Sequence, residues 1–156
     1  MKIEEELKAG LAFQKNKVDL QEELNDVYAP NPSSGLQLQL PSSELPQRNE
    51  PIRMINAITE ALDQSLTLHE NLVVMGQDIA EYGGAFKVTE GLLEKYGKAR
   101  IRNTPLCESA IIGTALGLSL EGYKSVVEMQ FADFVSVGFN QIVNNLAKIH
   151  YRWGQN

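Results

Sequence analysis

The amino-acid sequence predicts an α/β domain built on an open parallel sheet with helices on both faces. Short apolar segments rich in β-branched residues alternate with segments in which apolar residues recur every three or four positions. This alternation has the spacing of β-α-β units, which form parallel sheets. The chain of 156 residues is the size of one ordinary domain, and 43% hydrophobic with 22% charged residues is a globular composition.

Charge and cysteine content exclude several classes of protein. The formal net charge is −6, whereas nucleic-acid binding needs a basic face, so we expect no nucleic-acid partner. The single cysteine, Cys107, excludes an internal disulfide and fits a reducing, cytoplasmic setting. No apolar run approaches the roughly 18 residues of a membrane-spanning helix, and the acidic start, residues 1–6, is unlike a targeting signal. We therefore expect no membrane attachment.

The first fifty residues predict a helical segment followed by a linker. Residues 1–28 carry broken apolar stripes among charges, as in helices whose apolar face needs a partner. Residues 29–50 are rich in proline and serine and predict an extended linker. We place the boundary near Glu50, so the domain proper is predicted to cover residues 51–156.

The domain is predicted to begin with a helix and to contain three strands. Apolar residues at helical spacing, with Pro51 in the first turn, predict a helix of about four turns. Its apolar residues are Ile55, Ile58, Leu62 and Leu66. The three predicted strands are Asn71–Gly76, Arg100–Thr104 and Lys124–Met129.

Three more helices complete the predicted order. A short helix capped by Thr89 and ended by Gly97 separates the first two strands, and a helix over Ser109–Glu121, ended by Gly122, separates the second and third. Apolar residues at spacings of three and four then predict one long final helix. They are Val135, Phe139, Ile142, Leu146, Ile149 and Trp153.

Three loops are expected to meet at one edge of this sheet. Right-handed crossovers point the carboxyl ends of parallel strands to the same edge, where ligands bind. The loops are Gly76–Asp78, Thr104–Glu108 and Gln130–Phe134. Their carboxylates, amides and two aromatic rings suit a flat, nitrogen-containing ring better than a phosphate group.

Glu108 is the first candidate in these loops, because it follows a strand and a proline and opens a helix. On position alone, a surface acid favoured by the helix dipole is the simpler interpretation. Phe131 and Phe134 also have a simpler interpretation as core aromatics. Gly113 and Gly117 permit close approach of another backbone, either within the chain or across a subunit interface. No histidine has a second ligand at metal spacing, so no metal site is predicted.

Three phrases of the sequence resemble the β-subunit of the pyruvate and branched-chain 2-oxoacid dehydrogenases. They are Gly76–Val88, Asn103–Glu108 and Glu128–Phe134, and they agree with that family in order and spacing. The resemblance runs from about Pro51 to the end and implies a truncated pyrimidine-binding domain of the transketolase-like, thiamine-diphosphate-binding fold. Residues 1–28 more loosely resemble the end of the partner α-subunit, which implies that both subunits are fused in one parent chain.

The resemblance also implies a cofactor and the residues that bind it. Thiamine diphosphate lies between the two subunits in this family, and an α-type domain, absent here, holds the magnesium and the diphosphate. Glu108 is then the catalytic acid, which hydrogen-bonds a ring nitrogen of the aminopyrimidine in a desolvated site. Phe134 stacks on the ring, and Gln130 and the backbone near Leu106 line the pocket.

The implied activity is oxidative decarboxylation of a 2-oxoacid with acyl transfer to lipoyl groups. The phrases Asn103–Glu108 and Gln130–Asp133 lean toward the branched-chain type. The implied partners are the α-type cofactor domain, a second copy of the β-type domain and the lipoyl acyltransferase core of a multienzyme complex. A chain that carries half of the cofactor site is expected to be inactive alone.

Two other functions are alternatives to the 2-oxoacid dehydrogenase. A non-catalytic assembly module of the same fold would use the glycine-bearing helix for contacts, but assembly alone gives no reason for an acid at Glu108. The equivalent domain of a transketolase or a deoxyxylulose-phosphate synthase is disfavoured by the phrase Thr104–Glu108.

Overall fold

A computed structural model of the chain describes residues 2–12, 19–27 and 50–153. The chain divides into two compact units, one of residues 1–37 and 149–156 and the other of residues 38–148. Apart from Glu50, the predicted linker lies outside the described residues, and so does the middle of the predicted N-terminal helical segment. The boundary near Glu50 therefore stays a prediction.

Among the described residues, the first unit contains the helices α1 (Lys2–Ala12) and α2 (Leu20–Asp26) and, near the end of the chain, α7 (Ile149–Arg152). Asp19 caps α2, because its Oδ1 accepts hydrogen bonds from the backbone N–H groups of Gln21 at 2.8 Å and Glu22 at 3.3 Å. No residue of α1 or α2 is buried, and their leucines are largely exposed.

The second unit is built on a three-stranded parallel sheet. Its strands are β1 (Leu72–Gly76), β2 (Ile101–Asn103) and β3 (Lys124–Val127). β1 lies in the centre, where Val74 is in register with Ile101 on one side and with Val126 on the other. Every residue of β1 is buried, as expected of a strand covered on both faces. This confirms the predicted open parallel sheet.

Helices next to the sheet in sequence are α3 (Met54–Leu68), α4 (Leu92–Tyr96) and α5 (Glu108–Leu120). The connection through α4 leads from the central strand β1 to the outer strand β2, and the connection through α5 leads from β2 past β1 to the other outer strand β3. Because parallel crossovers are right-handed, these opposite directions place α4 and α5 on opposite faces of the sheet.

The core lies around β1 and β2. Its buried cluster consists of Leu66, Leu72, Val74, Ile79, Ala80, Leu92 and Ile101. Arg100 closes this core beside α3, because its Nη2 donates to the carbonyl of Leu66 at 2.8 Å and its Nε to the carbonyl of Leu72 at 3.0 Å. The guanidinium thereby satisfies a carbonyl at the end of α3 that has no partner within the helix.

Two predicted helix starts are wrong in detail. α3 begins at Met54 rather than at Pro51, and Arg53 is its N-cap. Thr89 does not cap α4; Gly91 holds that position. The Thr89 hydroxyl donates instead to the carbonyl of Ile79 at 2.6 Å and is buried, so this side chain stabilises the preceding loop rather than the helix.

The predicted long final helix is also wrong. The chain forms a 3-10 helix over Ala132–Gly138, the α-helix α6 over Phe139–Asn144, a 3-10 turn over Leu146–Lys148 and then α7. Asparagine side chains bond locally near the breaks: Asn140 Oδ1 accepts from the N–H of Gln141 at 2.8 Å, and Asn145 Nδ2 donates to Gln141 Oε1 at 2.6 Å. Such local bonds compete with a continuous helix.

Gly83 provides a test of the loop between β1 and α4. Its φ is +80°, and an added Cβ would lie 2.8 Å from the backbone Cα of Glu90. We expect Gly83→Ala to lower the unfolding free energy by about 2–4 kcal/mol, since a left-handed strain of about 1–2 kcal/mol adds to the overpacking. Urea unfolding followed by circular dichroism measures the loss.

Gly91→Ala is the matched control for this substitution. Gly91 has the same φ of +80°, but nothing lies within 4 Å of its added Cβ. The expected loss is therefore only the backbone strain, about 1–2 kcal/mol. Equal losses for the two variants would contradict the close approach of Glu90 to Gly83.

Candidate functional site

The carboxyl ends of the three strands form the candidate site. With the strand order β2-β1-β3, the connections leave β1 and β2 in opposite directions, and ligands of open α/β sheets bind at such a reversal. Gln77 follows β1, Glu108 opens the helix after β2, and Glu128 directly follows β3. One amide and two carboxyl groups therefore come to the same edge of the sheet.

Glu108 lies at the first position of α5, as the sequence predicted. It is half-buried, and its Oε1 accepts a hydrogen bond from Gln77 Nε2 at 3.2 Å. The N-cap residue Cys107 makes no side-chain hydrogen bond to the helix. An acid in the first turn of a helix is a favoured arrangement, and the Gln77 amide fixes the position of this side chain.

Three buried polar atoms at this edge have no hydrogen-bond partner within residues 50–153. They are Gln77 Oε1, Thr104 Oγ1 and Glu128 Oε1. Each belongs to a residue next to the carboxyl end of a strand. Because buried polar atoms are nearly always paired, three such atoms at one edge distinguish it from the rest of residues 50–153.

Glu128 was not predicted as a site residue. Its side chain lies against two glycines: an added Cβ on Gly84 would lie 3.4 Å from Glu128 Oε2, and one on Gly76 would lie 3.0 Å from the Glu128 Cβ. Burial raises the pKa of Glu128 above its ordinary value. No local signal in the sequence marks Glu128, because the glycines beside it lie in distant segments of the chain.

A cluster of aromatic rings includes two that follow β3. The rings of Phe131 and Phe134 meet edge to face with centroids 5.3 Å apart, and Phe86 packs on Phe131 in the same way at 6.1 Å. Phe134 is half-buried, whereas Phe131 and Phe86 are 52% and 57% exposed. Phe86 and Phe131 are therefore not plain core aromatics.

The structure does not join the remaining predicted site residues to Glu108. Leu106 lies in the same loop as the acid, but its side chain is 81% exposed. Gln130 lies after β3 and is half-buried. Within residues 50–153, no hydrogen bond links Glu108 to Gln130. The roles of Leu106, Gln130 and Phe134 therefore stay predictions.

The glycine-bearing helix α5 packs within the chain at one of its glycines. An added Cβ on Gly113 would lie 3.4 Å from the side-chain amide of Gln141 in α6, whereas nothing lies within 4 Å of one on Gly117. Gly113 therefore serves packing of α5 on α6, and Gly117 faces open space.

In the described ranges 2–12, 19–27 and 50–153, no helix is long and apolar enough to cross a membrane. No group of three or more His, Cys, Asp or Glu side chains in these ranges is arranged to hold a metal ion.

Comparison with protein families finds a match to the transketolase pyrimidine-binding domain over residues 50–154. The chain is also similar to enzyme subunits. It is 43% identical over 105 residues to the pyruvate dehydrogenase E1 component subunit beta of Leifsonia xyli, covering 67% of this chain and 31% of that protein.

A second group of relatives has a different named substrate. The chain is 41% identical over 112 residues to the 2-oxoisovalerate dehydrogenase subunit beta of Pseudomonas aeruginosa, covering 72% of this chain and 32% of that protein. For the subunit of the same name in Bacillus subtilis, identity is 43% over 98 residues, covering 63% and 30%. The chain thus spans about a third of the length of these relatives, and pyruvate and 2-oxoisovalerate relatives are about equally similar.

Proposed function

We propose that this chain, which belongs to the transketolase pyrimidine-binding domain family, supplies the aminopyrimidine half of a thiamine-diphosphate site in a 2-oxoacid dehydrogenase. The observation that carries the proposal is Glu108, half-buried at the start of α5 and held by the amide of Gln77. A carboxyl group in this position can share a proton with a ring nitrogen.

The residues present fit an aminopyrimidine. The ring needs hydrogen-bond donors and acceptors around its nitrogens and an apolar surface against its face. The carboxyl group of Glu108, held by Gln77, offers the first, and the edge-to-face pair Phe131 and Phe134 offers the second. A phosphate would fit poorly, because two of the polar side chains at this edge are acids.

The residues of this chain have separate roles in the proposed site. Glu108 hydrogen-bonds a ring nitrogen and moves a proton to and from it. Phe134 stacks on the ring, and Gln130 with the backbone near Leu106 lines the pocket. When bound, thiamine diphosphate supplies the carbon nucleophile and the electron sink for decarboxylation.

The partners and substrate of the site are part of the proposal. An α-type domain holds the magnesium ion and the diphosphate, and a second β-type domain and a lipoyl acyltransferase core complete the multienzyme complex, in the cytoplasm. The relatives include both pyruvate and 2-oxoisovalerate dehydrogenase subunits at similar identity. The preference for a branched-chain substrate therefore stays a prediction from the phrases around Glu108 and Gln130.

Phe134→Ala tests whether this edge receives the pyrimidine. In the complete enzyme we expect the dissociation constant for thiamine diphosphate to rise about 10-fold, because stacking of one base on an aromatic ring contributes about 1–3 kcal/mol. Quenching of intrinsic fluorescence, titrated with the cofactor at saturating magnesium, measures the change.

Tyr123→Ala is the matched control. Tyr123 is an exposed aromatic residue that precedes β3, at the opposite edge of the sheet, and its removal should leave cofactor affinity unchanged. If Phe134→Ala also leaves affinity unchanged, the edge does not receive the pyrimidine, and a non-catalytic assembly module becomes the better reading of the fold.

A further inference from the structure

We propose that Gln77 is a positioning residue for Glu108. The inference rests on the proposed function and deepens it by naming the side chain that fixes the acid. Gln77 Nε2 donates a hydrogen bond of 3.2 Å to Glu108 Oε1, and the glutamine itself is only 6% exposed. A buried amide that contacts the acid directly can control where its carboxyl group lies.

The backbone on both sides of Gln77 is held in place. The carbonyl of Gly76 accepts a hydrogen bond from the N–H of Thr104 at 2.8 Å, and the carbonyl of Asp78 accepts one from the N–H of Gly84 at 2.9 Å. Asp78 itself has a φ of 55°, a left-handed conformation that turns the chain immediately after the glutamine. The side chain therefore extends toward the acid from a fixed Cα.

The contact assigns different roles to the two oxygens of the carboxyl group. A glutamine amide donates through nitrogen, and a carboxylate can only accept. Gln77 Nε2 therefore donates to Oε1 of Glu108, and Oε2 remains available to the ring nitrogen of the ligand. A carboxyl group without this contact could rotate and present either oxygen, so the amide sets the orientation in which the proton is shared.

Stability of the fold does not explain a glutamine at this position. Gln77 Oε1 is buried and has no hydrogen-bond partner within residues 50–153, and an unsatisfied buried carbonyl destabilises a folded protein. Methionine has a similar length and flexibility without the amide. The fold is therefore expected to be at least as stable with methionine, and what glutamine adds is the hydrogen bond to Glu108.

Gln77→Met separates a positioning role from a structural one. In the complete enzyme we expect kcat to fall about 10- to 100-fold, since a misplacement of about 1 Å can cost that much, while KM for the 2-oxoacid changes less than about 2-fold. For the full chain without cofactor, we expect a melting temperature that is unchanged or about 2–4 °C higher. Gln77→Leu removes the same donor and should give the same split.

Gln64→Met, which changes an exposed amide on α3, is the matched control and should alter neither kcat nor melting temperature. A clear drop in melting temperature with both Gln77→Met and Gln77→Leu would make the residue structural, and an unchanged kcat would remove it from the site. Glu108→Gln measured in parallel distinguishes this failure from failure of the proposed function: if Glu108→Gln lowers kcat and Gln77→Met does not, only the positioning role is wrong.

Discussion

Replacing Glu108 by glutamine in the complete enzyme is expected to lower the rate of 2-oxoacid decarboxylation by about 10²-fold or more. Glutamine has the same shape and can still form hydrogen bonds, but it cannot give or take a proton. A group that transfers a proton in the rate-limiting step contributes about 10²–10⁴-fold. Stopped-flow measurement of decarboxylation at saturating cofactor and substrate gives the change in kcat.

Folding stability should change far less than turnover in this variant. Glu108 is half-buried at the start of a helix, where loss of the dipole interaction costs about 0.3–1 kcal/mol. Glu121→Gln makes the same chemical change at the exposed other end of α5 and should leave kcat unchanged. Unchanged turnover with unchanged cofactor affinity in Glu108→Gln would remove Glu108 from the mechanism.

The strands could be predicted from the sequence because their local pattern is strong. β1 is a run of apolar residues buried on both faces, so its composition alone distinguishes it from an amphipathic strand or helix. Its predicted range, Asn71–Gly76, differs from the observed Leu72–Gly76 by one residue. Local composition also places Glu108 at the start of α5, because the preceding proline and the following small residues mark the helix boundary.

The contacts within the site could not be predicted in the same way. Gln77 and Glu108 are 31 positions apart, and the alternation of strands and helices shows that their loops share an edge but not which side chains meet there. Glu128 is half-buried beside Gly76 and Gly84, which leave room for its side chain, and this arrangement depends on three separate segments. The breaks in the predicted final helix likewise depend on side-chain bonds such as Asn145 to Gln141.

This chain alone is expected not to bind thiamine diphosphate tightly and not to decarboxylate any 2-oxoacid. A diphosphate is held mainly by charge and by a magnesium ion, which needs carboxylate ligands in a suitable arrangement. Among the described residues no group of acidic side chains is arranged to hold a metal, and the net charge of the chain is −6. The remaining interactions are those of one ring with Phe134, Glu108 and their neighbours.

These interactions set an upper limit on the affinity. Stacking and a few hydrogen bonds give a few kcal/mol before the entropic cost of association, which corresponds to a dissociation constant of about 1 mM or weaker. Calorimetric titration of the chain with thiamine diphosphate and magnesium should show no binding at micromolar concentrations, and addition of the α-type domain should restore it. A micromolar, magnesium-dependent binding event in the chain alone would contradict the half-site, because the diphosphate would then have ligands within this chain.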